Sequence, residues 1–345
     1  MRLRDGIELT VLAAIWGASF LLTRIAAPEF GPGPLIAVRV AVAAAVLVPL
    51  WLLRGAPGEL WAQKRRLLLL GLITSALPFV LYAFAATRLT AGYSSILSAT
   101  TPLWGALIGA AWLRERLSVP AVTGLTVGFA GVVLLVTSRS SFSSGGEAIA
   151  IAACLLAALS YGVSANFTKK YGAAIHPLGL ATGSQLGATA ALTPVAVTTW
   201  PATAPSAGSW VAVLFLGVLC TGVAYILYFR LIRNVGPARA MSVTYVVPVF
   251  GVLWGWLFLD ERVTAPMILG TAIVLAGVGL TTGALRIPYA ELRTEAVPLI
   301  AHAEGIAAAS GAAAPSAAWR PSRGVDSLLE QWSRRDTRVC HQHRP

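Results

Sequence analysis

Apolar runs recur along most of the chain, broken by short stretches rich in Gly, Pro and charge. Ten runs fall at about 7–26, 34–53, 67–87, 91–113, 119–137, 147–168, 177–199, 210–230, 237–259 and 264–284. A helix that crosses a bilayer needs about 20 predominantly apolar residues, and each run supplies close to that number. Barrel strands would read as alternating segments of about 10 residues, a pattern this chain does not show. The pattern predicts an all-α polytopic membrane protein with ten transmembrane helices. The breaks are short, for example Glu29-Phe-Gly-Pro-Gly-Pro34 and the Gly/Ser-rich loop 140–146. Short connections predict one bundle with the lipid bilayer as its solvent.

Charge sets the expected orientation. With the N-terminus inside, fifteen Lys and Arg fall on the inner side: Arg2, Arg4, Arg54, Lys64, Arg65, Arg66, Arg114, Arg116, Lys169, Lys170, Arg230, Arg233, Arg239, Arg286 and Arg293. Four fall outside: Arg24, Arg88, Arg139 and Arg262. That bias follows the positive-inside rule and places both termini in the cytoplasm. The basic start runs into an apolar span without an A-x-A-like cleavage site, so the first helix reads as an uncleaved anchor. Residues 285–345 turn Ala-rich and then Arg-rich, and are expected to form a disordered cytoplasmic tail.

Composition agrees. Hydrophobic residues make up 57% of the 345 residues and charged residues 12%, where soluble domains carry about 25% charged. Soluble enzymes and disulfide scaffolds are excluded. The net charge of +12 is explained by the loops, so no nucleic-acid partner is expected. Cys154, Cys220 and Cys340 form no metal-ligand spacing, and no cofactor or metal is expected.

The second half repeats the first. Shifted by 146 residues, Pro102 meets Pro248, Gly105 meets Gly251, Gly109 meets Gly255, and Glu115-Arg116 meets Glu261-Arg262. Residues 102–134 share 13 identities with their counterparts over 33 ungapped positions. At a shift of 145, Trp16-Gly17-Ala-Ser19 falls on Tyr161-Gly162-Val-Ser164. The division is thus 1–139, 140–284 and the tail 285–345. Each half holds five helices, an odd number, so the halves run through the membrane in opposite senses. Inverted repeats of this kind are a common architecture of secondary transporters.

Trp16-Gly-Ala-Ser-Phe20, Ala37-Val-Arg39, Pro102, and Leu113-Arg-Glu-Arg-Leu-Ser118 before a Gly-rich helix resemble the EamA repeat of the drug/metabolite transporter superfamily. Leu259-Asp-Glu261-Arg262 is the counterpart in a second copy, which has Tyr161 in place of Trp and no arginine matching Arg39. The resemblance implies a ten-helix inner-membrane carrier, monomeric or homodimeric, that exports amino acids or other small metabolites. An alternative is a proton-coupled multidrug efflux pump. Related small pumps use a glutamate of the first helix, and Glu8 is the candidate here.

A charge at mid-bilayer costs about 2.5–3.5 kcal/mol on insertion scales, which makes Arg39 the leading candidate. It is a counter-ion for a substrate carboxylate or phosphate, or it snorkels outward past Pro34, five residues away. No Asp, Glu or His sits at mid-bilayer, where proton relays are usually found, which favours facilitated export or exchange. Trp16, Ser19, Tyr82, Ser98, Tyr161, Ser164, Asn166, Gln185, Tyr225 and Tyr245 are candidates for lining a small-molecule pocket, with Trp104 and Tyr228 beside them. Each has an alternative role in helix packing or at the interface. Pro102 and Pro248 remove a helix hydrogen bond and form paired hinges or static kinks. Glu115-Arg116 and Glu261-Arg262 are expected as exposed ion pairs at helix ends.

Overall fold

In lipid every backbone N–H and C=O must find its partner inside the protein, so the apolar runs fold as helices. The computed structural model describes residues 3–53, 57–137, 145–172, 175–235 and 242–285. Arg2, Arg54, Arg139, Arg239, Arg286, Arg293, loop residues 140–144 and the tail from 286 lie outside the described residues, as does the side chain of Arg233. Among the described residues there is no strand.

Ten helical passes follow one another. They are α1 (Leu3–Phe30), α2 (Pro32–Leu53), α3 (Lys64–Ala86), α4 (Ala91–Leu113), α5 (Val119–Thr137), α6 (Gly145–Tyr171), α7 (Pro177–Thr198), α8 (from Ala207 to Val235), α9 (Val243–Leu259) and α10 (Ala265–Thr282). Eight are long and apolar enough to span a membrane. The ninth, α9, has 17 residues. The tenth, α7, has 22 but carries Thr182, Ser184, Gln185, Thr189 and Thr193, side chains that its position between other helices accommodates. A short helix, Pro57–Ala62, joins α2 to α3.

Local chemistry sets the ends. Thr90 accepts from Tyr93 N at the start of α4, and Ser206 accepts from Ser209 N at the start of α8, as N-caps do. Gly31, with φ of 73°, makes the tight reversal between α1 and α2. The ends of α4 and α9 are built alike. Arg114 (φ 57°) and Asp260 (φ 50°) sit in the left-handed region. The next amides, Glu115 N and Glu261 N, return to Gly109 O and Gly255 O, both at 3.2 Å. These are Schellman-type closures 146 residues apart.

The packing obeys the same shift. α5 packs on α10 and α2 on α7, pairs that map onto themselves when the halves are exchanged. α1 with α9 maps onto α6 with α4, α3 with α6 onto α8 with α1, and α3 with α7 onto α8 with α2. Contacts match in detail. A Cβ at Gly17 would meet Phe250 Cβ at 2.6 Å and Gly251 N at 2.9 Å, and one at Gly162 would meet Trp104 Cβ and Gly105 N at 2.9 Å. Self-paired helices run antiparallel: Gly124 lies against Gly277 and Thr281, whereas Gly131 lies against Ile273 and Val274. The fold is therefore two inverted five-helix repeats around a pseudo-two-fold axis.

Two interruptions bear on the centre. π-helical turns occur at Leu72–Ala76 in α3 and Val218–Val223 in α8, at equivalent positions of the two repeats. Such turns insert an extra residue and are frequent at functional sites. The helix α4 also breaks at Ala99–Thr100, just before Pro102, whereas Pro248 lies inside the unbroken α9.

Candidate functional site

Arg39 lies where α2, α3 and α8 meet, with 5% of its surface accessible. α2 and α8 run side by side in the same direction: Val42 faces Gly217 and Val46 faces Gly222. The Arg39 carbonyl lies next to Gly217, whereas its Nε donates to Thr221 Oγ1 at 3.1 Å. Thr221 stands four residues further along α8 than Gly217, so the displacement leads away from Pro34. The guanidinium thus points towards the middle of the bundle, which corrects the expectation that it could snorkel outward. One face of it rests on the Phe79 ring, 3.8 Å from the centroid, a cation–π contact. Cys220, Tyr161 and Tyr225 complete its surroundings.

The hydroxyl of Thr221 belongs to the π-turn of α8. It donates to Leu216 O at 2.9 Å, so its lone pairs face Arg39. In the other repeat the amide Nε2 of Gln185 donates to Ser75 Oγ at 2.9 Å. Ser75 belongs to the π-turn of α3 and also bonds Tyr225. Gln185 stands 146 residues after Arg39, Thr221 146 after Ser75, and Tyr225 146 after Phe79. These two hubs are the same construction made twice, with a cation in one copy and a neutral amide in the other. The rings flanking them follow suit. Tyr82 stacks with Tyr161 at 6.3 Å, and their counterparts Tyr228 and Trp16 meet at 5.3 Å.

The Tyr82 hydroxyl and Gln185 Oε1 are buried without a hydrogen-bond partner among the described residues. Buried polar groups are normally satisfied, so both mark places where polarity is held in reserve. The described acids with placed side chains, Asp5, Glu8, Glu29, Glu115, Glu147, Asp260 and Glu261, all stand at or near helix ends.

Other predicted residues spend their polar atoms elsewhere. Ser19 donates to Trp16 O and Ser98 to Ser95 O, both at 2.6 Å. Asn166 Nδ2 donates to Gly105 O and Gly162 O at 2.9 Å, tying α6 to α4. Ser164 bonds Thr74 across α6 and α3. Tyr245 bonds Thr282, joining α9 to α10. Trp104 packs on Phe129 at 5.1 Å. Ser75, Phe79 and Thr221 escaped sequence reasoning; the 146-residue register leads from the candidate Tyr225 to Phe79, whereas Ser75 and Thr221 map only onto each other.

Glu8 is 9% exposed and bound on both sides. Arg4 lies 3.3 Å away, and Arg230 of α8 grips both carboxylate oxygens. Proton antiport through Glu8 would first require it to release two arginines. Glu115 is exposed and pairs with Lys169 of α6, not with the neighbouring Arg116. Glu261 does not form the expected exposed pair. Its carboxylate accepts from Ala91 N at 2.8 Å and Gly92 N at 3.2 Å, capping the start of α4 from the other repeat. Among the described residues no group of three or more His, Cys, Asp or Glu could hold a metal ion.

Known proteins resemble this chain over the same bundle. An uncharacterized transporter, YoaV, of Bacillus subtilis is 24% identical over 285 residues, covering 78% of this chain and 93% of the relative. An uncharacterized inner membrane transporter, YedA, of Escherichia coli is 26% identical over 280 residues, covering 79% and 89%. One from Archaeoglobus fulgidus is 20% identical over 276 residues, covering 80% and 98%. A solved crystal structure 20% identical to the chain superposes with a TM-score of 0.58, covering 79% of this chain and 95% of the other. The sequence profile of the EamA-like transporter family matches twice, over 6–137 and 148–283, once for each repeat seen in the packing. This multi-pass membrane protein is a transporter and belongs to the EamA-like family.

Proposed function

We propose that the chain is a secondary carrier that exports small metabolites, amino acids or similar compounds, across the inner membrane by alternating access between its two repeats. The observation that carries this reading is a seam between the two repeats that is shut at one face. At the face where α4 begins and α9 ends, α9 packs along Ala91–Ser98. There a Cβ at Gly251 would lie 2.3 Å from Ser95 Oγ, and Glu261 seals the seam. Gly105 is the counterpart of Gly251 at the opposite face. The segment equivalent to Ala91–Ser95, residues 237–241, lies outside the described residues. In a scaffold of inverted repeats, a seam closed at one face has an equivalent at the other face that closes in its turn, which is what an exchange of access requires. With the N-terminus inside, the closed seam faces out.

In this reading repeats 1–139 and 140–284 each supply one gate, the unit is a monomer or homodimer, and the 285–345 tail is not needed for transport. Trp16, Tyr82, Tyr161 and Tyr225 form the aromatic wall of the pathway between Arg39 and Gln185, and the break before Pro102 lets the two parts of α4 move separately. The test is counterflow. Proteoliposomes holding the full chain are loaded with a mixture of unlabelled amino acids and given labelled ones outside. Transient accumulation above equilibrium, saturating with concentration, sustains the carrier. Its absence across the amino acids and small organic acids, with folded protein shown in the bilayer, overturns it.

A further inference from the structure

The paired hubs at the centre invite comparison, because evolution of a repeat leaves equivalent positions free to diverge. One hub is Arg39 on Thr221 over Phe79; its twin is Gln185 on Ser75 beside Tyr225. A guanidinium has five N–H donors. Thr221 takes the one on Nε, and among the described residues no acceptor meets the two terminal amino groups. Among the described residues no carboxylate is paired with this cation: Glu8 is held by arginines, Glu115 by a lysine and Glu261 by backbone amides. Burying an unpaired charge is costly, and Phe79 offsets only part of that cost.

We propose that Arg39 is the anion subsite of the carrier and that it takes one carboxylate of a monocarboxylate substrate. The carboxylate binds end-on through the two terminal amino groups, because Thr221 occupies the side edge and Phe79 one face. Such fork-to-fork pairs are short and geometrically specific. The apolar body of the substrate lies along Phe79, Tyr82 and Tyr161. The unpartnered Tyr82 hydroxyl and Gln185 Oε1 receive its neutral polar groups. With one cation in the pair of hubs, the site selects a single negative group; dicarboxylates and plain amines are excluded. The inference deepens the carrier reading and rests on it for the route of entry.

The test uses the purified full chain in lipid nanodiscs and a set of probes with a common body: phenylacetate, phenylalanine, methyl phenylacetate and phenethylamine. Binding is read by intrinsic tryptophan fluorescence and by thermal stabilisation, and a wider panel of amino acids and short monocarboxylates is run beside it. Expected is binding of carboxylates and none of the ester or amine, a comparison that needs no variant. Arg39→Gln lowers carboxylate affinity by at least about 30-fold, since it removes one partner of a desolvated pair. The exchange Arg39→Gln with Gln185→Arg restores it, because the charge then sits on the twin hub. Equal binding of ester or amine overturns the proposal. So does unaltered carboxylate affinity in a folded Arg39→Gln protein, or a wild-type protein that no member of the panel stabilises. Carboxylate binding without counterflow would sink the carrier reading and leave the site; counterflow indifferent to Arg39 would do the reverse.

Discussion

Glu261→Ala opens the proposed gate by a calculable amount. The carboxylate accepts two backbone N–H groups of α4, from Ala91 at 2.8 Å and Gly92 at 3.2 Å, at the positive end of a helix dipole. A hydrogen bond to a charged group contributes about 1.5–3 kcal/mol, and a charge at a helix N-terminus about 0.3–1 kcal/mol. Glu261 is only partly buried, and solvent screening reduces both contributions. A loss of about 2 kcal/mol from the closed face is reasonable, which multiplies the open-to-closed ratio by roughly 30. The reporter is Ser95→Cys in a background with Cys154, Cys220 and Cys340 replaced by alanine. Ser95 is fully buried against Gly251 in the closed gate, so a membrane-impermeant thiol reagent added at that face reaches it only on opening. Glu261→Ala is expected to raise the labelling rate by about 10- to 30-fold, while Arg262→Gln leaves it unchanged. An unaltered rate in Glu261→Ala would show that the carboxylate does not hold this face shut.

Three further outcomes follow from the packing and the charges. Gly277→Leu is expected to lower the thermal midpoint of the detergent-solubilised protein sharply, because a Cβ there meets Gly128 N at 2.3 Å. Overpacking a core by far smaller additions already costs about 1–3 kcal/mol; an unchanged midpoint would mean that α5 and α10 do not cross at this seam. Glu8→Gln is expected to cost about 1 kcal/mol of stability, since Arg230 is 38% exposed and the pair is screened. Transport then persists without a pH gradient; its abolition would restore proton antiport. Truncation after residue 290 is expected to leave counterflow intact, and loss of flux from a folded truncated protein would assign the tail a working role.

The fold was largely legible because two signals in the chain are strong. Apolar runs mark all ten passes, although α7 is diluted by its Thr and Ser residues and α9 is short, and Pro102, Gly105 and Glu115 repeat by identity at Pro248, Gly251 and Glu261. The centre was harder to read for a specific reason. There the repeats match by chemistry and not by identity: Arg39 with Gln185, Ser75 with Thr221, Phe79 with Tyr225. Counting identities passes over all three pairs. The direction of the Arg39 side chain depends on α8 lying parallel to α2, a tertiary fact with no trace in local pattern. Nor do the π-turns announce themselves, since Leu72–Ala76 and Val218–Val223 contain no Pro.

Those turns explain why the hubs sit where they do. A regular helix commits each carbonyl to an amide four residues on, whereas a π-turn shifts the partner and leaves side-chain hydroxyls room to join the ladder. Thr221 uses that room: it donates to Leu216 O, five residues back, and turns its acceptor side to Arg39. The proton of Thr221 is thereby committed to the backbone, so the hydroxyl positions the guanidinium without competing for an incoming anion. Ser75 occupies the same place for Gln185. The scaffold thus offers two equivalent oriented donors, one on each side of the pseudo-two-fold axis, and charge on one alone breaks the symmetry. A carrier built on inverted repeats needs symmetry in its gates, so that one can close as the other opens, and asymmetry at its centre, so that a substrate with distinct ends binds in one orientation. In the proposed carrier the seams at Gly251 and Gly105 serve as the gates, and the difference between Arg39 and Gln185 supplies the orientation.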